Sequence, residues 1–152
     1  MEDNNYFDLI EAKTDNLSAI QLMLDSCGLP SIDLTKDHLE HFYILECDDK
    51  ALGCIGLEDY GKNALLRSLA VKEDVRGKGF GKLLVKKIEQ YAKEQNIDDI
   101  YLLTTTAEGF FSKLGYSTIS GEEVPSPVKK SEEFSSICPD SATVMVKTIA
   151  NL

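Results

Sequence analysis

The sequence has no apolar run approaching the roughly eighteen residues that span a bilayer, which argues against a membrane helix. Its opening residues, MEDNNYFDLIE, are acidic and lack the basic-then-apolar pattern of a secretion signal, so the expected location is the cytoplasm. Cysteine is sparse. Cys27, Cys47, Cys54 and Cys138 include no C-x-x-C pair, and the two histidines, His38 and His41, are not near any of them in sequence. That spacing gives no zinc ligand set, and reduced, mostly buried thiols are the expectation. Positive charge is also short, with 16 Lys and Arg against 26 Asp and Glu and a net charge of -10. The average field would repel a nucleic acid. There is no internal repeat and no low-complexity tract.

What is present suits one domain, residues 1–152. The chain is 152 residues long, 43% hydrophobic and 8% aromatic, enough to fill a single core. Its cations are not evenly spread. Lys72, Arg76, Lys78, Lys82, Lys86 and Lys87 fall within one stretch, against only Glu73 and Asp74. This is either a local anion site or a solvated helix face.

Tyr6 to Ala12 reads as a first strand. A helix with Leu17, Ile20, Met23 and Leu24 on its apolar stripe follows, capped by Thr14 or Asp15 and stopped by Gly28 and Pro30. SIDLTKDHLEHF holds a short helix capped by Thr35. HFYILECD and ALGCIGLEDY pair through a turn at Asp48-Asp49-Lys50. A second turn at Gly61-Lys62-Asn63 leads into ALLRSLAV, Ala64 to Val71. Phe80, Leu84, Ile88 and Tyr91 then repeat at helical spacing from about Gly79 to Glu94. Asp98 to Thr104 is a strand, AEGFFSKLG a short helix, Tyr116 to Ile119 another strand, and Ser141 to Ile149 the last. Residues 121–140 are the least regular. The fold class is therefore α+β, with a mixed sheet and a central helical crossover.

Between ALLRSLAV and that crossover helix lies VRGKGFGKLL. A dinucleotide turn needs G-x-G-x-x-G, and here the third glycine arrives one residue early, at Gly81. A P-loop needs G-x-x-x-x-G-K-[ST], but Arg76 and Leu83 occupy two of its required positions. R-x-x-G-x-G does fit, from Arg76 through Gly77, Lys78, Gly79 and Phe80 to Gly81. Glycines let backbone N–H groups approach a pyrophosphate, the helix N-terminus adds unpaired donors, and Arg76 and Lys82 add charge.

On these residues the chain resembles the GCN5-related N-acetyltransferases. LLRSLAVKEDVRGKGFGKLL is similar to the family's central signature and AEGFFSKLGY to its later helix-and-strand segment; the resemblance covers nearly the whole chain. It implies a mixed, mostly antiparallel sheet splayed open between the strand ending at Val71 and the strand at Ile100, with acetyl-CoA as acetyl donor in the opening and no metal. It also implies that backbone groups of Leu69, Ala70 and Val71 polarise the thioester carbonyl and hold the pantetheine arm. The loop Arg76, Gly77, Lys78, Gly79, Phe80, Gly81 and Lys82 would hold the pyrophosphate. LLRSLAV, YLLTTTAEGFF and VPSPVKKSEEFSSICPDSATVM further resemble a bacterial subgroup associated with arsenic resistance. They are also similar, more distantly, to the acetyltransferase domain of N-acetylglutamate synthase. That implies a small, amino-acid-like amine as acceptor, and homodimers are common in the family.

Amine acetylation needs a base, a polarised carbonyl and a fate for the thiolate. Glu58 is the first candidate base, or else a solvent-facing glutamate at a strand end. Arg67, a charge in an apolar strand, needs a partner: a substrate carboxylate, or an internal ion pair with Glu58 or Glu46. Strand alternation places Arg67, Leu69 and Val71 on one face and Leu66, Ser68 and Ala70 on the other. Ser68 and Thr105 complete the catalytic candidates. Where many members of the family carry a tyrosine as thiolate acid, this chain has Phe111, and Thr104 stands in place of a frequent asparagine. Thr105, Thr106, Ser112 or water would then serve the thiolate, or the chain is a catalytically weak acetyl-CoA-binding sensor. Residues 121–140 are a candidate substrate lid.

Overall fold

In the computed structural model, residues 7–131, 134 and 142–150 are described; Cys138 and parts of the candidate lid lie outside them. Seven strands form one sheet in the order β1-β2-β3-β4-β5-β7-β6. They are β1 Phe7–Glu11, β2 Phe42–Cys47, β3 Lys50–Tyr60, β4 Asn63–Val71, β5 Asp99–Thr104, β6 Ser117–Ile119 and β7 Thr143–Thr148. The helices are α1 Leu17–Ser26, α2 Phe80–Glu94, α3 Glu108–Lys113 and α4 Ser126–Lys129, with short 3-10 turns between elements. This is the expected α+β fold with a mostly antiparallel sheet. No helix among the described residues is long and apolar enough to cross a membrane.

The chain divides into two compact units, Met1–Gly56 with Ser68–Ile88, and Leu57–Arg67 with Glu89–Leu152. In the first, β1 pairs antiparallel with β2, and β2 with β3. The β2–β3 connection has φ +51° at Asp48 and +64° at Asp49, the two left-handed residues that suit a tight hairpin to strand twist. α1 buries Ile20, Met23 and Leu24 against Leu34, Leu39, Phe42, Ile44, Cys54 and Ala70. Its expected cap is displaced: a 3-10 turn, Thr14–Asn16, precedes it, and the Lys13 N–H donates to Asn16 Oδ1 at 2.7 Å. Thr35 does open the next turn, Lys36–His41, by exchanging hydrogen bonds with His38.

In the second unit, β4 and β5 run parallel through three residue pairs, Asn63↔Asp99 to Leu65↔Tyr101. No further β4–β5 pair is formed among the described residues. A parallel pair that stops this early leaves the rest of β4 with backbone groups that must find other partners. β5 and β6 both pair antiparallel with β7. Leu65, Tyr101, Val124 and Val128 form the core here, with Tyr60, Phe134, Val144 and Val146 packed against them.

Candidate active site

β4 is not a regular strand. Ser68 has φ +62°, a left-handed serine inside an apolar run. The Cys54 thiol donates to the Ser68 carbonyl at 3.3 Å, which supports this kink from the neighbouring strand. The period-two alternation expected for Arg67 to Val71 therefore does not carry across Ser68. Cys54 itself is no nucleophile. Burial pushes its thiol up to about 12, with Cys27 adding to the rise and the Ala70 backbone opposing it. Beyond the kink, Ala70 is buried while Leu69 and Val71 are half-buried. Cys27, Cys47 and Cys54 are free thiols.

A 3-10 turn, Glu73–Val75, links β4 to the glycine loop. Gly77 and Gly79 both have φ +85°, and a Cβ on either would meet nothing within 4 Å. Glycine is needed there for the backbone conformation and not for close packing, and the loop faces open space. The Leu83 N–H donates to the Gly79 carbonyl at 3.1 Å, so α2 begins at the loop. The N–H groups of its first turn have no acceptor within the helix, and they carry its positive dipole end. Lys78 and Lys82 are exposed. Arg76 is exposed as well. Its Nε donates to the Val71 carbonyl at 2.9 Å and an Nη to Cys27 Sγ at 3.3 Å. It ties the loop to the end of β4, beside an open cavity of about 610 Å³ that Cys27, Lys72 and Asp74 also line. Nothing in the sequence marks Cys27, which lies 49 residues away, as its partner.

In the second unit, Arg67 and Glu58 meet. Arg67 Nη1 lies 2.8 Å from Glu58 Oε2, with the arginine side chain fully buried and the glutamate 12% exposed. The internal pair with Glu58, one of the partners expected for Arg67, is formed. The Tyr60 hydroxyl donates to Glu58 Oε1, so each carboxylate oxygen has a donor. Burial and then the hydrogen bond to Glu58 raise the Tyr60 phenol well above its ordinary range, keeping it protonated. Tyr60 was not among the sequence candidates; its signal is that it follows Glu58 by two residues on one strand, hence on one face.

Phe111 is buried and packs edge-on against Phe110 at 5.0 Å and Tyr116 at 5.5 Å. The Tyr116 hydroxyl donates to Glu89 Oε2 at 2.9 Å, and burial drives that phenol far above its ordinary range. Neither ring offers an acid. Thr104 Oγ1 accepts from the Ala107 N–H at 2.9 Å and so shapes the entry to α3. Thr105, Thr106 and Ser112 are exposed, and Ser68 is buried.

A family model described as an acetyltransferase (GNAT) domain matches residues 38–118. The chain belongs to the GNAT acetyltransferase family. It is 34% identical over 99 residues to an uncharacterized N-acetyltransferase of Chlorobaculum tepidum, covering 64% of this chain and 63% of that protein. It is 31% identical over 94 residues to an amino-acid acetyltransferase of Buchnera aphidicola subsp. Acyrthosiphon pisum, covering 60% of this chain and 21% of that one. The chain thus spans less than two thirds of either protein. Among solved structures, N-acetylglutamate synthase from Neisseria gonorrhoeae, complexed with coenzyme A and L-arginine, has a TM-score of 0.81 at 21% identity, over 96% of this chain and 34% of that one. A Mycobacterium tuberculosis structure in complex with CoA has a TM-score of 0.78 at 23% identity, over 93% and 99% of the two chains. At these identities the GNAT likeness is one of fold.

Proposed function

We propose that this GNAT domain is an acetyl-CoA-dependent N-acetyltransferase that acetylates a small, amino-acid-like amine by direct transfer in a ternary complex. The observation that carries this reading is the glycine loop, with two left-handed glycines opening on empty space ahead of the N-terminus of α2. A pyrophosphate suits such a site, because backbone N–H groups and the helix dipole both favour an anion. Leu69, Ala70 and Val71, beyond the last β4–β5 pair, supply backbone groups for the thioester carbonyl and the pantetheine arm. Amino-acid acetyltransferases among the relatives support the acceptor class.

Glu58 is assigned the role of base. A carboxylate can accept a proton from an ammonium directly or through a water. Arg67 fixes that carboxylate, and its positive charge favours an acceptor that carries a carboxylate. Ser68 and Thr105 are assigned to the thiolate's side of the reaction, together with water. Most of the rate then comes from holding two reactants in line. The test is direct. Protein, acetyl-CoA and amino acids or related amines should release free CoA thiol, and Arg67→Gln should raise KM for the acceptor more than for acetyl-CoA. Tight acetyl-CoA binding without turnover on a broad amine panel would favour the second reading, a CoA-binding sensor. That reading draws on Phe111, which cannot donate a proton, and on Tyr116, whose phenol is engaged with Glu89.

A further inference from the structure

Glu58 is held by more than its arginine. On β3, Tyr60 donates to one carboxylate oxygen; on β4, Arg67 donates to the other at 2.8 Å. The phenol is held in turn. Ser131, just beyond α4, sits beside the phenol and acts against the rise in its pKa. Ser131 is itself buried, and its Oγ accepts from the Phe134 N–H at 3.2 Å. Tyr60 and Phe134 pack against one apolar cluster of Leu65, Tyr101, Val124 and Val128. A run of polar groups therefore leads from the segment after α4, through the buried Ser131 hydroxyl and the Tyr60 phenol, to the carboxylate.

The Glu58–Arg67 pair compensates the charge of a buried guanidinium. A donor on the opposite oxygen does something different, because it restrains the rotation of the carboxylate and so the direction in which its oxygens point. A phenol is suited to this. Tyr60 stays protonated across the neutral range, so it donates and never competes for the substrate's proton.

We infer that Tyr60, seated by Ser131, is a positioning residue that aims Glu58 at the acceptor amine. This role rests on the acetyl-transfer reading proposed for the domain. It also gives the segment around α4 a second task beyond covering the core, since it sets the orientation of the base.

The experiment uses the full chain with acetyl-CoA and whichever amine is turned over. Tyr60→Phe keeps the ring and removes the donor. It should lower kcat about tenfold while leaving KM for acetyl-CoA unchanged. Ser131→Ala should lower kcat by less, and the double variant should match Tyr60→Phe in kcat, because the route from Ser131 to Glu58 passes through the phenol. Unchanged kcat in Tyr60→Phe, or losses that simply add, would overturn the inference. So would a kcat loss that disappears at a temperature where thermal melting shows the variant fully folded, since the phenol would then serve stability alone. Glu58→Gln separates the layers. If it retains full turnover, acetyl transfer stands but Glu58 is not the base, and the role of Tyr60 falls with it. If the wild type turns over no amine while binding acetyl-CoA, the proposed function and this inference fall together.

Discussion

Two glycines show how differently the same residue is used. At Gly56 an added Cβ would lie 2.2 Å from the Phe42 ring, inside the α1 core. At Gly79 it would meet nothing within 4 Å, but the backbone is at φ +85°. Gly56→Ala should therefore destabilise by about 1–3 kcal/mol through overpacking, leaving acetyl-CoA affinity intact in the folded fraction. Gly79→Ala should cost about 1–2 kcal/mol through left-handed strain, and it should also weaken acetyl-CoA binding by placing a methyl where the pyrophosphate approaches. Urea unfolding measures the first quantity and calorimetry the second. Unchanged affinity in Gly79→Ala would mean that the loop is not the donor site.

At the scale of elements, α2, β7 and the turn after α3 are joined by one cluster. Glu89 accepts from Lys147 Nζ at 3.1 Å and from the Tyr116 hydroxyl at 2.9 Å, while Lys147 also donates to the Leu114 carbonyl at 2.9 Å. Tyr116→Phe should cost about 1 kcal/mol at neutral pH for the lost hydrogen bond. The alkaline limb supplies the sign. Tyr116 loses its proton in the unfolded chain near its ordinary value of 10.0 but holds it far higher when folded. Its contribution is complete below pH 10.0 and is lost as pH rises through the gap between the two values. Wild-type stability should thus fall about 1.4 kcal/mol per pH unit more steeply than that of Tyr116→Phe in that window. Parallel curves in pH-dependent denaturation would show that Tyr116 is not held protonated by the fold. The same scale shows what was legible in the sequence. The Asp48-Asp49 turn, the strand into Val71 and the apolar stripe of α2 could be read from residue types at fixed spacing. The kink at Ser68 could not, because a serine in an apolar run carries no mark of a left-handed backbone. The Glu58–Arg67 pair was one of three legible partnerings. Its extension through Tyr60 to Ser131 was not, since a contact between positions 60 and 131 depends on packing.

For the whole molecule the question is which charges a coenzyme A phosphate feels. The protein carries a net charge of -10, so its average field repels the ligand. Lys72, Lys78 and Lys82 are exposed on or next to the glycine loop and attract it locally. Screening discriminates between the two by range. At low salt the Debye length of about 30 Å lets most of the acidic surface contribute; at 0.15 M, about 8 Å leaves mainly the groups near the loop, where Lys72, Arg76, Lys78 and Lys82 outnumber Glu73 and Asp74. Above that concentration added salt can only erode the local attraction. Affinity for coenzyme A should therefore fall severalfold between about 0.15 M and about 1 M salt, where the Debye length shrinks to about 3 Å. Lys78→Ala should weaken binding at 0.15 M and flatten that dependence, because it removes a near cation and leaves the glycine conformation untouched. Calorimetric titration of both proteins across the salt series measures the slopes. An affinity that rises with salt over this range would mean that the acidic surplus governs the site, and that the lysines around the loop are a solvated face and not part of an anion site.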